Sequence, residues 1–151
     1  GATSFNQNLA SWDVSKVTDM ESVFEGATSF NQNLASWDVS KVTKMQRMFR
    51  GATSFNQNLA SWDVSKVANI KQVFEGATNF NQDLCALGTH LLATPPISAV
   101  NMVNMFSETS CGSSSNPVIF SSFVSPLCSA CTPGLTAPPL TAAPPTPAPL
   151  D

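Results

Sequence analysis

Histidine, basic residues and long apolar runs are all scarce in this 151-residue chain. His90 is the only histidine, so no nucleophile–base pair can be assembled and catalysis is not expected. Only seven residues are Lys or Arg and the net charge is -3, which excludes the basic patch that nucleic acid requires. No apolar run approaches the ~18 residues of a membrane helix. This segment is therefore not expected to insert into a membrane.

Cysteine is absent from the chain ahead of Cys85, and all four cysteines lie in one irregular segment: Cys85, Cys111, Cys128 and Cys131. An even number of cysteines gathered in this way suggests two disulfides in an oxidising compartment. Zinc is the competing interpretation, because Cys128 and Cys131 have the C-x-x-C spacing. The other two cysteines are far apart, however, and a single histidine is available. The sequence favours disulfides.

The first half of the chain contains a repeat. The string FNQNLASWDVSKV occurs three times without change, from Phe5, Phe30 and Phe55. The units are residues 1–25 (unit 1), 26–50 (unit 2) and 51–75 (unit 3), and a degenerate fourth begins at Gly76. A fixed period of this length predicts a solenoid, in which each unit buries its apolar face against its neighbours.

A short strand is predicted to be the first regular element of each unit. Leu9, Trp12, Val14 and Val17 form the pattern L-x-x-W-x-V-x-x-V, close to that of leucine-rich repeats. Alternation predicts that Trp12 and Val14 point inward and that Asp13 points outward. Stacked units should then place equivalent residues side by side along a parallel sheet.

A helical turn is predicted to follow the strand. Apolar residues with helical spacing occupy positions 17, 20, 23 and 24. Thr18 and Glu21 form a capping box at its start, and Gly26 supplies a left-handed stop.

Two columns of aromatic side chains and one of amides are predicted from the stacking. Phe5, Phe30, Phe55 and Phe80 should form an internal column, and Trp12, Trp37 and Trp62 should form a second one. Either the Asn series from Asn6 or that from Asn8 should form a ladder that satisfies loop carbonyls.

The string FNQNLASWDVSKVTDMESVFEGATS resembles the BspA-like leucine-rich-repeat surface proteins, closely over residues 1–84 and loosely through AVNMVNMF. Such arrays are known from bacterial surface lipoproteins and adhesins, and from secreted or surface proteins of unicellular eukaryotes. The expected fold class is an α/β repeat solenoid. It is a leucine-rich-repeat-like right-handed coil with a short parallel β-sheet, short helical turns and a disulfide-stapled C-terminal cap.

Three regions follow from these patterns: repeats over 1–84, a degenerate repeat and Cys-rich cap over 85–131, and a Pro/Thr/Ala-rich linker or stalk over 132–151. Cys85 is expected to pair with Cys111, which leaves Cys128 with Cys131. The last region is an extended O-glycosylated stalk, a disordered linker or a polyproline ligand. The N-terminal end has no comparable cap, from which we expect further repeats upstream.

The outward positions of the predicted strand are the candidate ligand-binding surface. They are Ser11, Asp13, Ser15, Lys16, Ser36, Asp38, Ser40, Lys41, Ser61, Asp63, Ser65 and Lys66. Like charges on neighbouring strands repel, so Lys or a bound cation should neutralise the Asp row. Hard oxygen ligands suit Ca²⁺, but no Ca²⁺-binding loop motif is present. No cofactor is expected, and Ca²⁺ is the less favoured alternative.

Two functions fit this sequence. The first is a non-enzymatic extracellular or cell-surface module that adheres to or recognises a protein or polysaccharide. The second is a structural building block that assembles with like subunits into a surface layer or fibre. Identical outward residues in every unit suit a periodic partner or a lattice, and recent duplication explains the same identity.

Overall fold

The computed structural model describes residues 1–87, 102–111, 118–119 and 124–125. The strands among them are β1, Val118–Ile119, and β2, Val124–Ser125. They pair antiparallel, with Val118 opposite Ser125 and Ile119 opposite Val124. The described residues contain almost no helix. Units 1–3 are built from turns, isolated bridges and irregular segments.

The predicted fold class is wrong. The described residues contain neither the parallel sheet nor the helical turns of an α/β leucine-rich-repeat solenoid, since the only parallel pairings are two isolated bridges. These bridges join Asp19 to Lys44 and Lys44 to Asn69. They lie in the segment that was predicted to be helical, not in the one predicted to be a strand.

The predicted strand is replaced by two successive turns. The N–H of Trp12 donates to the carbonyl of Leu9 at 3.0 Å, and that of Val17 donates to Val14 at 2.9 Å. Between them the carboxylate of Asp13 accepts the N–H of the residue two positions later. Asp and Ser offer the backbone this local alternative to a ladder, and alternation of apolar residues alone does not reveal it.

The predicted helical turn is replaced by a segment that hydrogen-bonds to the next unit. The N–H groups of Met20 and Phe24 donate to the carbonyls of Lys44 and Met48, each at 2.9 Å. Ser22, between the two donors, has a φ of 59°, which lies outside the right-handed helical region. The capping box is likewise wrong, because the N–H of Glu21 bonds to the side chain of Asp19.

Glycine is used where the backbone is left-handed and close to its neighbour. Gly26, Gly51 and Gly76 have φ values of 69°, 67° and 71°. The predicted left-handed conformation is thus present, although it ends a non-helical segment. A side chain on Gly76 would meet the Cα of Gly51 at 3.6 Å.

Hydrogen bonds between asparagines at equivalent positions also join the units. The side chain of Asn6 accepts the N–H of Asn31 at 3.0 Å and the amide of Gln32 at 2.9 Å. The same contacts recur from Asn31 and Asn56. The predicted ladder is therefore the Asn6 series, whereas Asn8 closes a turn within its own unit.

Eight phenylalanine rings form two columns in the core. The first, as predicted, is Phe5, Phe30, Phe55 and Phe80, with centroids 5.7, 6.0 and 6.1 Å apart. The second is Phe24, Phe49, Phe74 and Phe106, with centroids 5.4, 5.6 and 5.8 Å apart. The columns face each other at 4.0–4.1 Å. Because each buried ring contributes roughly 1.5–3 kcal/mol, these columns provide much of the stability.

The tryptophan column is present in two of its three members. Trp37 and Trp62 are buried, and their indole N–H groups donate to the carbonyls of Leu9 and Leu34 at 2.9 and 3.0 Å. Trp12 is 62% exposed, because no described residue covers it on that side. The prediction was wrong for Trp12.

Residues 102–111 continue the pattern of the units. Met102, Met105 and Phe106 are buried, and the carbonyl of Met105 accepts the N–H of Phe74 at 3.1 Å. Asn104 has the positive φ of Ser22, at 55°. This segment thus covers the last face of unit 3.

Cys85 and Cys111 are each disulfide-bonded. Their predicted pairing with one another stays a prediction. Cys128, Cys131 and the Pro-rich region lie outside the described residues. The described part of the chain contains no helix with the length and apolarity of a membrane span.

Candidate functional site

The twelve predicted ligand-binding residues, here called the Ser-Asp-Lys surface, lie at the protein surface. They sit on the turns that replace the predicted strand. Nine are exposed: Ser11, Asp13, Lys16, Ser36, Asp38, Lys41, Ser61, Asp63 and Lys66. Ser15, Ser40 and Ser65 are half-buried. The surface thus repeats one polar pattern three times, although it belongs to no sheet.

Each aspartate of this surface stabilises the turn in which it lies. Oδ1 of Asp13 accepts the N–H of Ser15 at 3.0 Å and its hydroxyl at 2.6 Å. The same backbone contact, also at 3.0 Å, joins Asp38 to Ser40 and Asp63 to Ser65. One carboxylate oxygen of each aspartate is therefore committed to local structure.

The charges of neighbouring units influence one another across this surface. The pKa of Asp13 is lowered, first by the hydroxyl of Ser15 and then by its N–H and by Lys41. The pKa of Asp38 is lowered by the equivalent contacts with Ser40 and by Lys41, while Asp13 opposes the shift. The charge of Lys41 thus favours the ionised form of both aspartates, after the larger effect of the serine contacts.

Two of the predicted hydroxyls also connect units. The hydroxyl of Ser36 donates to the carbonyl of Ala10 at 3.0 Å, and that of Ser61 donates to Ala35 at 3.2 Å. A hydroxyl that donates to the protein retains its lone pairs as acceptors. These serines can therefore hold the surface in register and still accept a hydrogen bond from a ligand.

Sequence reasoning missed a second polar surface, here called the charged ridge, formed by the segments around residues 19–25, 44–50 and 69–75. Lys44 pairs with Asp19 at 3.2 Å, and Arg47 pairs with Glu21 at 2.6 Å. The amide of Gln46 also donates to Glu21. Because these groups are partly exposed, each pair contributes at most about 1 kcal/mol.

Arg50 is the centre of the charged ridge. Its guanidinium lies 3.0 Å from Glu25 and 3.2 Å from Glu75, so that it bridges the units on both sides. These carboxylates raise the pKa of Arg50. The pKa of Glu25 is lowered, first by a hydrogen bond from Ser22 and then by Arg50. Beside these residues runs a groove of about 310 Å³, lined also by Glu108 and the glycines at 26, 51 and 76.

The ridge did carry a sequence signal. Units 1 and 2 differ at five positions only, 19, 21, 22, 23 and 25 of unit 1. Four of these five changes alter charge or polarity, from Asp, Glu, Ser and Glu in unit 1 to Lys, Gln, Arg and Arg in unit 2. Substitutions confined to one segment of an otherwise identical repeat mark that segment as the place where units differ in their contacts.

Comparison with known proteins identifies the family of this chain. The family model described as "Mycoplasma protein of unknown function, DUF285" matches residues 1–116. The chain belongs to the DUF285 family. No curated protein and no solved structure matches it. The surface residues of this DUF285 protein are therefore the basis for inferring its function.

The described residues of this DUF285 chain contain no cluster of three or more His, Cys, Asp or Glu side chains that could hold a metal. The carboxylates of the charged ridge face arginine and lysine. The Ser-Asp-Lys surface has one carboxylate in each unit. The hydroxyl and carboxylate oxygens of these surfaces can accept hydrogen bonds, and the lysines and Arg50 can donate them.

Acid should destabilise the protein through these carboxylates. The folded pKa values of Asp13, Asp19, Asp38 and Glu25 lie below their ordinary values of 3.8 and 4.5. The stabilisation is therefore complete above the ordinary values and is lost as the pH falls through the folded ones. Thermal melts should give a constant Tm above about pH 5 and a falling Tm below about pH 4.

The variant Asp38→Asn is the control for this prediction. Asparagine retains the acceptor for the N–H of Ser40 but carries no charge, so its Tm should lie below that of the wild type at pH 6 and approach it near about pH 2. Its Tm should also fall less steeply between about pH 4 and pH 2. A wild-type Tm that stays constant down to pH 2 would contradict the assignment.

Proposed function

We propose that this DUF285 chain is a non-enzymatic extracellular or cell-surface module that recognises a polymeric partner through the Ser-Asp-Lys surface. The observation that carries the proposal is the exposure of the same Ser-x-Asp-x-Ser-Lys sequence in three consecutive units. Contacts that are weak in one unit add up when a linear ligand engages several units at once. A polysaccharide has the matching repetition.

The electrostatics of the surface favour a partner of low net charge. Each unit contributes one aspartate and one lysine to the Ser-Asp-Lys surface. Their opposite charges cancel within the unit. Hydrogen bonds from Ser15 and Ser40, and then the charge of Lys41, lower the pKa of Asp13 and Asp38. The hydroxyl and carboxylate oxygens accept hydrogen bonds and the lysines donate them, which suits the hydroxyl groups of a glycan.

Two further observations support an extracellular location. Cys85 and Cys111 are disulfide-bonded, and disulfides persist in oxidising compartments. The units also resemble those of BspA-like surface proteins, and we propose that this protein shares their location. A protein partner with a repeating surface is the second kind of ligand that fits.

Binding assays with charge variants test this function. Purified chain should bind saturably to at least one polysaccharide in a glycan array or a pull-down. Asp38→Asn and Lys41→Gln should each weaken binding about tenfold, as expected for loss of a charged hydrogen bond. The matched control is Lys71→Gln, which removes the same charge from an exposed lysine in the charged-ridge segment and should leave affinity unchanged.

The structural alternative predicts a different set of results. If the chain is a building block of a layer or fibre, the purified protein should assemble in an ordered way without a glycan. Assembly should then be insensitive to Asp38→Asn. Saturable glycan binding that neither Asp38→Asn nor Lys41→Gln reduces would overturn the assignment of the Ser-Asp-Lys surface.

A further inference from the structure

Asparagine and glutamine side chains of neighbouring units form a third polar surface, here called the amide surface. Nε2 of Gln57 donates to Oδ1 of Asn31 at 2.9 Å and to its backbone carbonyl at 3.1 Å. Nε2 of Gln82 makes the same two contacts with Asn56, at 2.8 and 3.2 Å. The surface consists of Asn6, Asn31, Asn56, Gln32, Gln57 and Gln82, which are all exposed or half-buried.

The hydrogen bonds fix the direction in which each amide points. A backbone N–H can only donate, so the atom of Asn31 that meets the N–H of Asn56 at 2.9 Å is the oxygen. Gln57 faces two acceptors, Oδ1 and the carbonyl of Asn31, so its inward atom is the nitrogen. The asparagines therefore turn Nδ2 away from these contacts, and the glutamines turn Oε1 away.

The outward atoms of the amide surface are available to a ligand. Within the described part of the chain, neither Nδ2 of Asn31 nor Oε1 of Gln57 has a hydrogen-bond partner. The one buried side-chain N or O atom without a partner there is Oε1 of Gln46, which belongs to the charged ridge. The outward amide atoms thus reach solvent, as a row of donors beside a row of acceptors.

These donors and acceptors are held in place before any ligand arrives. Oδ1 of Asn31 accepts two hydrogen bonds and Nε2 of Gln57 donates two, all to atoms of a neighbouring unit. Side chains that are already ordered lose less conformational entropy on binding. The amide surface is therefore preorganised for hydrogen bonding.

The amide surface favours an uncharged ligand that is rich in hydroxyl groups. Residues 28–35 and 53–60, which contain its asparagines and glutamines in units 2 and 3, include no charged residue. A charged polymer would find no ion pair here. The core of a protein interface is usually aromatic or apolar, and amides offer neither. A hydroxyl group both donates and accepts, so it can pair with either row.

The spacing of the units distinguishes between linear ligands. Parallel bridges join Asp19 to Lys44 and Lys44 to Asn69, and segments paired in this way lie about 4.8 Å apart. Groups on one side of an extended peptide recur only every ~6.6 Å, so a peptide that crosses the units loses register. One pyranose ring of an extended β-1,4-linked chain has nearly the length of a unit. Each ring also carries hydroxyl groups along its edges.

We propose that the amide surface binds an extended, uncharged polysaccharide whose chain runs across the units with about one sugar ring per unit. Nδ2 of each asparagine donates to a sugar hydroxyl, and Oε1 of each glutamine accepts from one. The class of ligand rests on the proposed function, but the binding site is a different surface. Single contacts are weak and add up over the units.

The test uses the full chain, labelled with ¹⁵N, and cellohexaose, an uncharged β-1,4-linked glucose oligomer. The side-chain NH₂ signals of Asn31 and Asn56 should shift saturably in NMR spectra. Gln57→Met removes the acceptor and the contact that orients Asn31, and should weaken binding about fivefold. The matched control is Gln46→Met, the same change at a half-buried glutamine of the charged ridge, which should leave the affinity unchanged.

Maltohexaose tests the requirement for an extended chain. It has the same sugar, length and charge, but its α-1,4 links curl the chain. Few of its rings can lie on successive units at once, so it should bind at least about fivefold more weakly than cellohexaose. Equal affinities for the two oligomers would overturn the match between sugar ring and unit.

Three other results would overturn the proposal. One is the absence of any shift of the Asn31 and Asn56 signals with cellohexaose. Another is a shift of these signals on raising the concentration of the protein alone, which would make a second copy the occupant. The third is cellohexaose binding that Asp38→Asn weakens and Gln57→Met does not. That result would assign the sugar to the Ser-Asp-Lys surface and leave the proposed function intact.

Discussion

Replacing Phe49 by alanine is expected to lower the free energy of unfolding by about 3–5 kcal/mol. The ring is fully buried inside the second column and faces the first through Phe55. It stacks on Phe24, Phe55 and Phe74 at 5.4, 4.0 and 5.6 Å, and it also contacts Trp62. Alanine would leave a cavity that these rings cannot close without losing their own stacking. Since whole domains are stable by only about 5–15 kcal/mol, the variant should be close to unfolding at room temperature.

Denaturant titration followed by tryptophan fluorescence measures this loss. Phe49→Leu retains most of the apolar volume and should cost no more than about 1.5 kcal/mol. Phe5→Ala is the positional control, because Phe5 is half-buried and stacks on Phe30 only among the described rings. Its cost should be about 1 kcal/mol. Equal losses for Phe5→Ala and Phe49→Ala would show that the columns do not carry the stability.

The core could be predicted from the sequence because its signal is periodic. Phe5, Phe30 and Phe55 recur once in every unit, and any packing that repeats with the sequence brings them together. The prediction of the Phe column depends only on equivalent residues lying side by side. The positive φ of Gly26 was predicted as the stop of a helical turn; the turn is absent, but glycine still adopts that conformation without strain.

Secondary structure could not be predicted in this way, because competing hydrogen bonds decide it. Trp12 and Val14 alternate as in a strand, but Asp13 closes a turn between them. Met20 and Phe24 have helical spacing, but their N–H groups find acceptors in the next unit. Those acceptors are distant in the sequence and adjacent only in the fold. A local pattern of apolar residues contains no record of such partners.

The two polar surfaces also differ in how far the sequence alone revealed them. The Ser-Asp-Lys surface was predicted because its residues occupy the outward positions of the predicted strand. The charged ridge was missed because its residues do change, from acidic in unit 1 to basic in unit 2. Arg50 shows what the change achieves, since it joins Glu25 to Glu75 across three units. The variable segment specifies which unit lies beside which.

The tryptophans show that the same local sequence can have very different environments. Residues 5–17 and 30–42 are identical, yet Trp12 is 62% exposed and Trp37 is 6% exposed. Trp37→Ala should therefore cost about 3–5 kcal/mol, while Trp12→Ala should cost less than about 0.5 kcal/mol. Both free energies come from the same denaturant titrations.

The loss at Trp37 is expected to arise from packing more than from its hydrogen bond. The carbonyl of Leu9 accepts the indole of Trp37 but also the N–H of Trp12 at 3.0 Å. It would not be left unpaired by the substitution, so the hydrogen bond accounts for about 1 kcal/mol at most. Trp37→Phe, which retains a ring but no donor, should then recover more than half of the loss. Similar losses for Trp12→Ala and Trp37→Ala would contradict the difference in burial between the two side chains.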